Sequence, residues 1–134
     1  MSPTACDRRR VLVAEDDAAA RALYDAIISE DVPDVSIDLA ANGAEAVKFF
    51  DSRHHAVIVM DLHMPVLNGL EAFRQIEEIC RNKAWAMPSV VFCTAYAPPK
   101  AFVDIVAEGQ PHCLLTKPMT SQQLVATVKD RLDA

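Results

Sequence analysis

The sequence predicts an α/β fold in which a doubly wound parallel sheet of five strands carries helices on both faces. Apolar, strand-like runs alternate regularly with helix-like segments, and several of these runs are apolar at nearly every position. Strands covered by helices on both sides have this continuous apolar character, because neither face of the sheet meets water. The length of 134 residues, with 51% hydrophobic residues, suits one domain of this kind.

The first part of the chain reads as strand, helix, strand, helix, strand. The apolar run VLVA at 11–14 is followed by a helical pattern over about 18–29 and by the strand-like run VSIDLA at 35–40. A second helix is expected over about 43–52. The run AVIVM at 56–60 then predicts a fully buried third strand.

The second part continues the alternation to the end of the sequence. A third helix is expected over about 69–83, and the apolar run SVVFCT at 89–94 predicts the fourth strand. A shorter helix over about 100–108 precedes the brief strand CLLT at 113–116. The last helix is expected over about 121–132, where the apolar residues fall on one face.

Three of these helices begin with a capping pattern, in which a polar side chain is followed three residues later by an acid or an amide. The pairs are Asn42 with Glu45, Asn68 with Glu71, and Thr120 with Gln123. Each pair can satisfy backbone N–H groups that have no partner inside the helix. No repeat or linker divides the chain, so we expect a flexible flank at 1–9 and one domain at 10–134.

Composition argues against several classes of function. The net charge is −6 and only Arg8, Arg9 and Arg10 cluster, which disfavours direct binding of nucleic acid. The four cysteines lack C-x-x-C spacing, so neither a zinc site nor a redox pair is indicated. No apolar stretch approaches the roughly 18 residues of a membrane span, and we expect a cytoplasmic protein without membrane contact. His54 and His55, before the third strand, are expected at the surface.

Acidic residues follow two strands that the expected strand order 2-1-3-4-5 places side by side. Glu15, Asp16 and Asp17 come directly after the first strand, and Asp61 follows the third. Sheets of this order bind ligands beyond the carboxyl ends of these two strands. The first three acids could be an ordinary helix cap, but crowded carboxylates repel one another unless a cation neutralises them. Oxygen ligands of this kind favour Mg2+ or Mn2+.

Two further strand ends add a hydroxyl group and an ammonium group. Thr94 ends the fourth strand, and Lys117 follows the fifth. Alone, such a threonine is usually a turn residue and such a lysine is usually solvated. Together with the carboxylates they fit phosphoryl transfer, which needs a nucleophile, a metal and donors that stabilise the moving charge.

Four motifs in this order strongly resemble the receiver domain of two-component response regulators, the CheY-like superfamily with a flavodoxin-like fold. VLVAEDD resembles the family's first strand and acidic pair, and MDLHMPVLNGLE resembles its phosphorylation segment. FCTA resembles the strand end that carries the hydroxyl group, and LLTKP resembles the lysine-proline segment. The resemblance covers essentially the whole chain.

The resemblance implies that Asp61 accepts a phosphoryl group from a phosphohistidine on a histidine kinase or a histidine phosphotransfer protein. It implies that Mg2+ or Mn2+ is bound by the carboxylates of Asp16 and Asp61, by Glu15 through water, and by the backbone carbonyl of His63. The implied product is a phosphoprotein that acts as a signalling switch and not as an enzyme.

The remaining implied features concern the response to phosphorylation. Thr94 would bond a phosphoryl oxygen, and Lys117 would pair with the phosphate and, before phosphorylation, with Asp61. Pro118 is expected to follow a cis peptide bond. The responding surface would be the fourth helix, fifth strand and fifth helix. Many receivers carry a mobile Tyr or Phe three residues before the lysine, where this chain has Leu114.

Alternatives to this interpretation remain open. The chain could be a single-domain response regulator or the receiver of a hybrid histidine kinase. It could also be a docking module that works without phosphorylation. A small-molecule phosphatase that forms an aspartyl-phosphate is disfavoured, because such enzymes of the haloacid dehalogenase type carry a second acid at the place of His63.

Overall fold

Strands and helices alternate along the part of the chain that the structure describes, residues 7–95, 100–107 and 112–133. The strands of this computed structural model are β1 (Asp7–Ala14), β2 (Ser36–Ala40), β3 (His55–Asp61), β4 (Ser89–Thr94) and β5 (Cys113–Thr116). The helices are α1 (Ala18–Asp31), α2 (Gly43–Arg53), α3 (Gly69–Lys83), α4 (Lys100–Ala107) and α5 (Ser121–Leu132). Within these ranges, no helix has the length and apolar character needed to cross a bilayer.

Neighbouring strands pair in parallel in the order β2-β1-β3-β4-β5, so the predicted fold class and strand order are confirmed. The register places Ala14 opposite Met60 and Asp61 opposite Cys93. The ends of β1, β3 and β4 therefore lie at one edge of the sheet. Because the strand order reverses between β1 and β3, the crevice that this topology provides opens at that edge.

Two hydrophobic clusters, one on each face of the sheet, hold the helices in place. Leu12 and Ile58 belong to the cluster beneath α2, α3 and α4. Their neighbours Val13 and Val59 belong to the cluster beneath α1 and α5. Successive strand residues point to opposite faces, so a strand covered on both sides must be apolar at every position. This explains the continuous apolar runs of the sequence.

The predicted capping residues occupy the observed helix starts. The pairs at the starts of α3 and α5 form complete capping boxes. At α2, Asn42 accepts the N–H of Glu45 at 2.9 Å, but the Glu45 carboxylate accepts the N–H of Ala41 instead of that of Asn42. The predicted starts at Gly43, Gly69 and Ser121 therefore agree with the structure.

The predicted boundary of the N-terminal flank needs a correction. β1 begins at Asp7, and not at Val11 as the apolar run suggested, so residues 7–9 belong to the strand. Arg9 contributes to this extension, because its guanidinium lies 3.4 Å from the Asp133 carboxylate and donates to the carbonyl of Pro33. Residues 1–6 of the predicted flank lie outside the described residues.

The expectation that His54 and His55 lie at the surface is wrong. The two side chains are only 5% and 0% exposed. His54 ends α2 in the left-handed conformation, with φ 48°, and its ring stacks on Trp85 at 4.1 Å between ring centroids. The Nε2 atom of His55 lies 2.7 Å from a carboxylate oxygen of Asp38. The turn directs both rings inward because partners from other elements are available there.

Candidate functional site

Three acids and one lysine meet at the carboxyl edge of the sheet. Glu15 and Asp16 follow β1, Asp61 ends β3, and Lys117 follows β5. Carboxylate oxygens of the three acids all lie within 4.8 Å of one another. The Nζ atom of Lys117 lies 2.9 Å from Glu15 Oε1 and 2.9 Å from Asp61 Oδ2. The parallel sheet thus gathers into one cluster residues that are far apart in sequence.

The carboxylate of Asp61 is held at both of its oxygens. Oδ1 accepts the backbone N–H of His63 at 3.0 Å, and Oδ2 accepts a hydrogen bond from Lys117 at 2.9 Å. Asp61 is only 7% exposed, whereas the side chain of His63 is exposed. A rigid buried strand and two hydrogen bonds therefore fix the position and orientation of this carboxylate.

The backbone around Asp61 is fixed by its neighbours in sequence and in the sheet. The N–H of Leu62 donates to the carbonyl of Cys93 at 3.0 Å, and the N–H of Gly69 donates to the carbonyl of Leu62 at 3.1 Å. A Cβ atom at Gly69 would lie only 2.8 Å from the carbonyl oxygen of Asp61. Glycine is therefore required where α3 begins, directly against the peptide of Asp61.

Thr94 and Lys117 lie side by side at the same edge. The backbone N–H of Lys117 donates to the carbonyl of Thr94 at 2.7 Å, which ties the residue after β5 to the end of β4. Thr94 is 1% exposed and lies one position beyond Cys93, the sheet partner of Asp61. The Lys117–Pro118 peptide bond is cis, as expected.

Glu15 is the most deeply buried acid of the cluster, at 2% exposed. Burial raises its pKa, and the nearby charge of Asp61 adds to this, while hydrogen bonds from Lys117 and from the Asp17 N–H oppose it. Burial also acts on Lys117 and lowers its pKa, but the hydrogen bonds to Glu15 and Asp61 outweigh burial and the net pKa is raised. Lys117 is therefore a permanent positive charge between the two carboxylates.

The three acids after β1 have two different roles: one caps α1, and the other two belong to the cluster. Asp17 is the N-cap of α1, and its side chain accepts the N–H of Ala19 at 3.4 Å. The explanation of the run as an ordinary helix cap therefore applies to Asp17. Asp16 is exposed at the mouth of the cluster, and Glu15 points into it.

The donor set of the cluster fits a small, hard cation. Its oxygen atoms come from the carboxylates of Glu15, Asp16 and Asp61, which suit Mg2+ or Mn2+ better than zinc. Mg2+ holds oxygens at about 2.0–2.1 Å, so ligands on opposite sides of the ion lie about 4.2 Å apart. The three carboxylates offer oxygen atoms within 4.8 Å of one another, so one small cation could contact more than one of them.

Two other potential nucleophiles near the cluster, the thiol of Cys93 and the phenol of Tyr24, stay protonated at neutral pH. Burial raises the pKa of Cys93 to about 12 and that of Tyr24 to about 12, and both groups feel the charges of Lys117, Glu15 and Asp61. A thiol or phenol with so high a pKa stays protonated and reacts slowly. Among these groups, the carboxylate of Asp61 is the best candidate for a nucleophile.

Sequence reasoning missed Arg21 and Tyr24, which α1 directs towards the cluster. The Nη1 atom of Arg21 donates to the carbonyl oxygen of Glu15 at 2.7 Å. Both residues share a helix face with Asp17, because positions 17, 21 and 24 follow the i, i+4, i+7 spacing. That spacing from the acidic run was the one sequence signal that could have identified them.

Comparisons with known proteins agree on one family. The model of the response regulator receiver domain matches residues 11–129. The protein-glutamate methylesterase/protein-glutamine glutaminase of Aliivibrio fischeri is 30% identical over 91% of this chain, which spans 40% of that relative. Chemotaxis protein CheY of Thermotoga maritima is 26% identical over 87% of this chain and 92% of its own length.

A solved structure shows the same fold. The receiver domain of a sensor histidine kinase from Pseudomonas aeruginosa matches with a TM-score of 0.74 and 22% identity, over 94% of this chain and 98% of its own. That structure holds a magnesium ion in its active-site cleft. At this level of identity, the likeness extends to the fold alone.

Proposed function

This chain belongs to the response regulator receiver domain family, and we propose that it is a phosphorelay receiver that is phosphorylated on Asp61. The observation that carries the proposal is the carboxylate of Asp61 at the switch point of the sheet, held by Lys117 and His63 beside two further acids. The proposed donor is a phosphohistidine on a histidine kinase or a histidine phosphotransfer protein.

In the proposed reaction, a carboxylate oxygen of Asp61 attacks the phosphorus atom of the phosphohistidine. The new O–P bond forms as the P–N bond breaks, and the released imidazole takes a proton from solvent. Lys117 stays beside the transferred group and balances its charge, because its ammonium already lies 2.9 Å from Oδ2. The hydroxyl of Thr94 donates a hydrogen bond to a phosphoryl oxygen.

A bound Mg2+ would neutralise charge on the phosphoryl oxygens during transfer. The proposed ligands are the carboxylates of Asp16 and Asp61 and the backbone carbonyl of His63, with Mn2+ as a possible substitute ion. Both oxygens of Glu15 are already engaged, by Lys117 and by the N–H of Asp17, which supports a role for Glu15 through water. The Pseudomonas domain, which has the same fold, holds a magnesium ion in its active-site cleft, and this supports a cation at the corresponding edge of the sheet but not the choice of ligands.

The proposed output is a change in the surface formed by α4, β5 and α5. The phosphoryl group carries about −1.5 to −2 units of charge and replaces the single negative charge of the carboxylate, so the site becomes more negative by roughly 0.5 to 1 unit, which draws Lys117 away from Glu15. Lys117 is bonded through its backbone to Thr94, so a shift at the site moves the ends of β4 and β5 together. Leu114 lies opposite Phe92 and is half-buried against the core, so this response relies on strand and helix movement without a swinging aromatic ring.

The same proposal covers two arrangements of the whole protein. The match with CheY of Thermotoga covers 92% of that relative, so a protein made almost entirely of such a domain exists among the relatives, and a single-domain regulator in the cytoplasm is one proposed arrangement. The Pseudomonas relative is the receiver of a sensor histidine kinase, which supports a hybrid kinase. In both arrangements the domain passes a signal by binding proteins, and it has no substrate of its own beyond the phosphodonor.

Intact-protein mass after incubation with acetyl phosphate, with and without Mg2+, tests this function. We expect a gain of one phosphoryl group that requires Mg2+, disappears in Asp61→Asn and persists in Asp130→Asn, which changes an exposed acid of α5. If neither acetyl phosphate nor a panel of phosphohistidine proteins produces the gain, the domain is a docking module that works without phosphorylation.

A further inference from the structure

We propose that Arg21 is a positioning residue that fixes the acidic turn after β1 and thereby organises the Mg2+ site, an inference that rests on the proposed function. Arg21 lies one turn into α1, and its Nη1 atom donates to the carbonyl oxygen of Glu15 at 2.7 Å. The hydrogen bond is partly buried. It joins the first turn of α1 to the end of β1.

The carbonyl of Glu15 needs such a partner because the sheet ends at this residue. The N–H of Glu15 donates to the carbonyl of Ala40 at 3.0 Å, which links it to the end of β2. The next peptide leaves the sheet and enters the turn before α1, so strand pairing cannot satisfy its carbonyl. The guanidinium of Arg21 donates the hydrogen bond that a neighbouring strand would otherwise supply.

This carbonyl belongs to the rigid peptide plane that joins Glu15 to Asp16. Fixing the oxygen therefore fixes the orientation of the plane and the direction in which the side chain of Asp16 leaves the backbone. The carboxylate of Glu15 has anchors of its own, the N–H of Asp17 and the ammonium of Lys117. Asp16 is exposed, so its position as a metal ligand depends more strongly on the backbone.

Arg21 has two opposite influences on a cation at this site. Its positive charge repels Mg2+, whereas its hydrogen bond holds the acidic turn in shape. Among the described acids, none forms an ion pair with Arg21, so the guanidinium leaves the carboxylates available to a metal. Substitutions that separate charge from geometry can therefore show which influence dominates.

Calorimetric titration with Mg2+ tests the proposal on the wild type, Arg21→Lys and Arg21→Gln. Lysine keeps the charge but lacks the planar guanidinium, and glutamine loses the charge as well. We expect both variants to bind Mg2+ more weakly by on the order of tenfold, as is typical when a partner of a metal ligand is removed. The matched controls, Arg74→Lys and Arg74→Gln in exposed α3 positions, should bind as the wild type does.

Two further measurements separate positioning from a general structural role. The Glu15 carbonyl is only partly buried, so water can replace the guanidinium there, and in EDTA the urea midpoints of the Arg21 variants should match those of the Arg74 variants. With acetyl phosphate, the Mg2+ concentration that gives half the maximal phosphorylation rate should rise, while the maximal rate at saturating Mg2+ should not change. A midpoint lowered in EDTA would assign Arg21 to folding and overturn the proposal.

The titration itself has distinct outcomes for the inference and for the function on which it rests. Tighter Mg2+ binding by Arg21→Gln with no change in Arg21→Lys would mean that only charge matters, and unchanged binding by both would mean that the contact is incidental. Either result overturns the inference and leaves the function in place. A wild type that binds no Mg2+ overturns the inference together with the metal-dependent part of the function.

Discussion

Lys117 holds two carboxylates at once, Glu15 and Asp61, each at 2.9 Å. Its ammonium therefore neutralises the same carboxylates that a bound metal ion would neutralise. Replacing Lys117 by glutamine removes a cation that competes with Mg2+ for the same oxygens. We expect Lys117→Gln to bind Mg2+ several-fold more tightly in a calorimetric titration, and to be phosphorylated more slowly because a charge-stabilising donor is lost.

A lysine far from the cluster provides the control for this prediction. Lys129 is exposed on α5, so Lys129→Gln changes the net charge equally without touching the site. Equal Mg2+ affinities in the two variants would show that Lys117 does not compete with the metal. The ammonium of Lys117 would then not limit the binding of Mg2+ to these carboxylates.

Val66 has an unfavourable backbone conformation in the loop that follows Asp61. Its φ is 68°, and the N–H of Leu67 donates across it to the carbonyl of Pro65 at 2.7 Å. Positive φ is costly for a β-branched side chain, and this one is 80% exposed and gains little from packing. We expect Val66→Asn to raise the free energy of unfolding by up to about 1 kcal/mol, measured by urea denaturation.

The same substitution in a helix should lower the free energy of unfolding instead of raising it. Val103 is an exposed valine in α4, where asparagine relieves no backbone strain. A loss of stability in Val66→Asn would mean that the strain is absent, or that the side chain of Val66 makes contacts that outweigh it.

Residue by residue, the sequence identified the groups that stand directly at strand ends and missed those that reach the site from a helix. Asp61 and Lys117 could be placed because an apolar run ends beside each of them. Arg21 was missed although its helical spacing from Asp17 places it on the face towards the acidic run, because its partner is a backbone carbonyl, which has no signature of its own in sequence. His54 was misplaced because its burial depends on Trp85, which belongs to another loop.

At the scale of elements, α2 begins unusually close to the loop that follows β3. A Cβ atom at Gly43 would lie 2.0 Å from the carbonyl oxygen of Leu67, a backbone atom that cannot give way cheaply. Alanine favours a helix over glycine by about 1 kcal/mol, but this clash should dominate. We expect Gly43→Ala to lower the free energy of unfolding by about 1–3 kcal/mol in urea denaturation, as overpacking does.

The adjacent position gives the converse control. Ala44 is exposed, so Ala44→Gly should lower the free energy of unfolding only by the helix propensity, about 1 kcal/mol. A Gly43→Ala variant as stable as the wild type would show that α2 and the loop after β3 can separate freely. Phosphorylation of Asp61 could then proceed without any constraint from α2.

Element boundaries could be predicted where local chemistry sets them. Capping side chains fixed the starts of α2, α3 and α5, since each cap acts within its own turn. The start of β1 could not be predicted, because residues 7–10 are polar and the strand is extended by contacts with distant residues. The period of hydrophobic residues in a sequence indicates which residues are buried. It therefore cannot predict a polar strand end that ion pairs hold in place.

At the scale of the whole molecule, two buried histidines make stability depend on pH. Burial lowers the pKa of His55, against the opposing hydrogen bond to Asp38, and burial lowers the pKa of His112. The Nδ1 atom of His112 accepts the N–H of Val90 at 3.0 Å, which requires that nitrogen to be unprotonated. Unfolded histidines titrate near pH 6.5, so below this pH the unfolded chain binds more protons than the folded one.

The free energy of unfolding should therefore fall as the pH drops from 7 to 5, and urea denaturation at several pH values measures this slope. His112→Gln removes one of the two titrating groups, while its amide oxygen can still accept the N–H of Val90, so its slope should be shallower. Stability that stays level or rises on acidification would contradict the neutral, buried state of these rings.

The fold as a whole could be predicted because its rule is simple: continuous apolar strands alternating with helices permit few topologies. The same topology brings the ends of β1, β3, β4 and β5 to one edge, which is why a site spread over the whole sequence could be anticipated. The balance of charge inside the site could not be predicted. It depends on distances such as those from Lys117 to Glu15 and Asp61, which are set by side-chain packing.

The most direct test of the account is to locate the phosphoryl group. The protein would be phosphorylated with acetyl phosphate and Mg2+, treated with borohydride to reduce the acyl phosphate to an alcohol, and digested for peptide mass mapping. We expect reduction at Asp61 alone. Reduction at Asp16 or Asp17, or at no aspartate of a protein whose mass shows a phosphoryl group, would contradict the assignment of Asp61 as the phosphoacceptor.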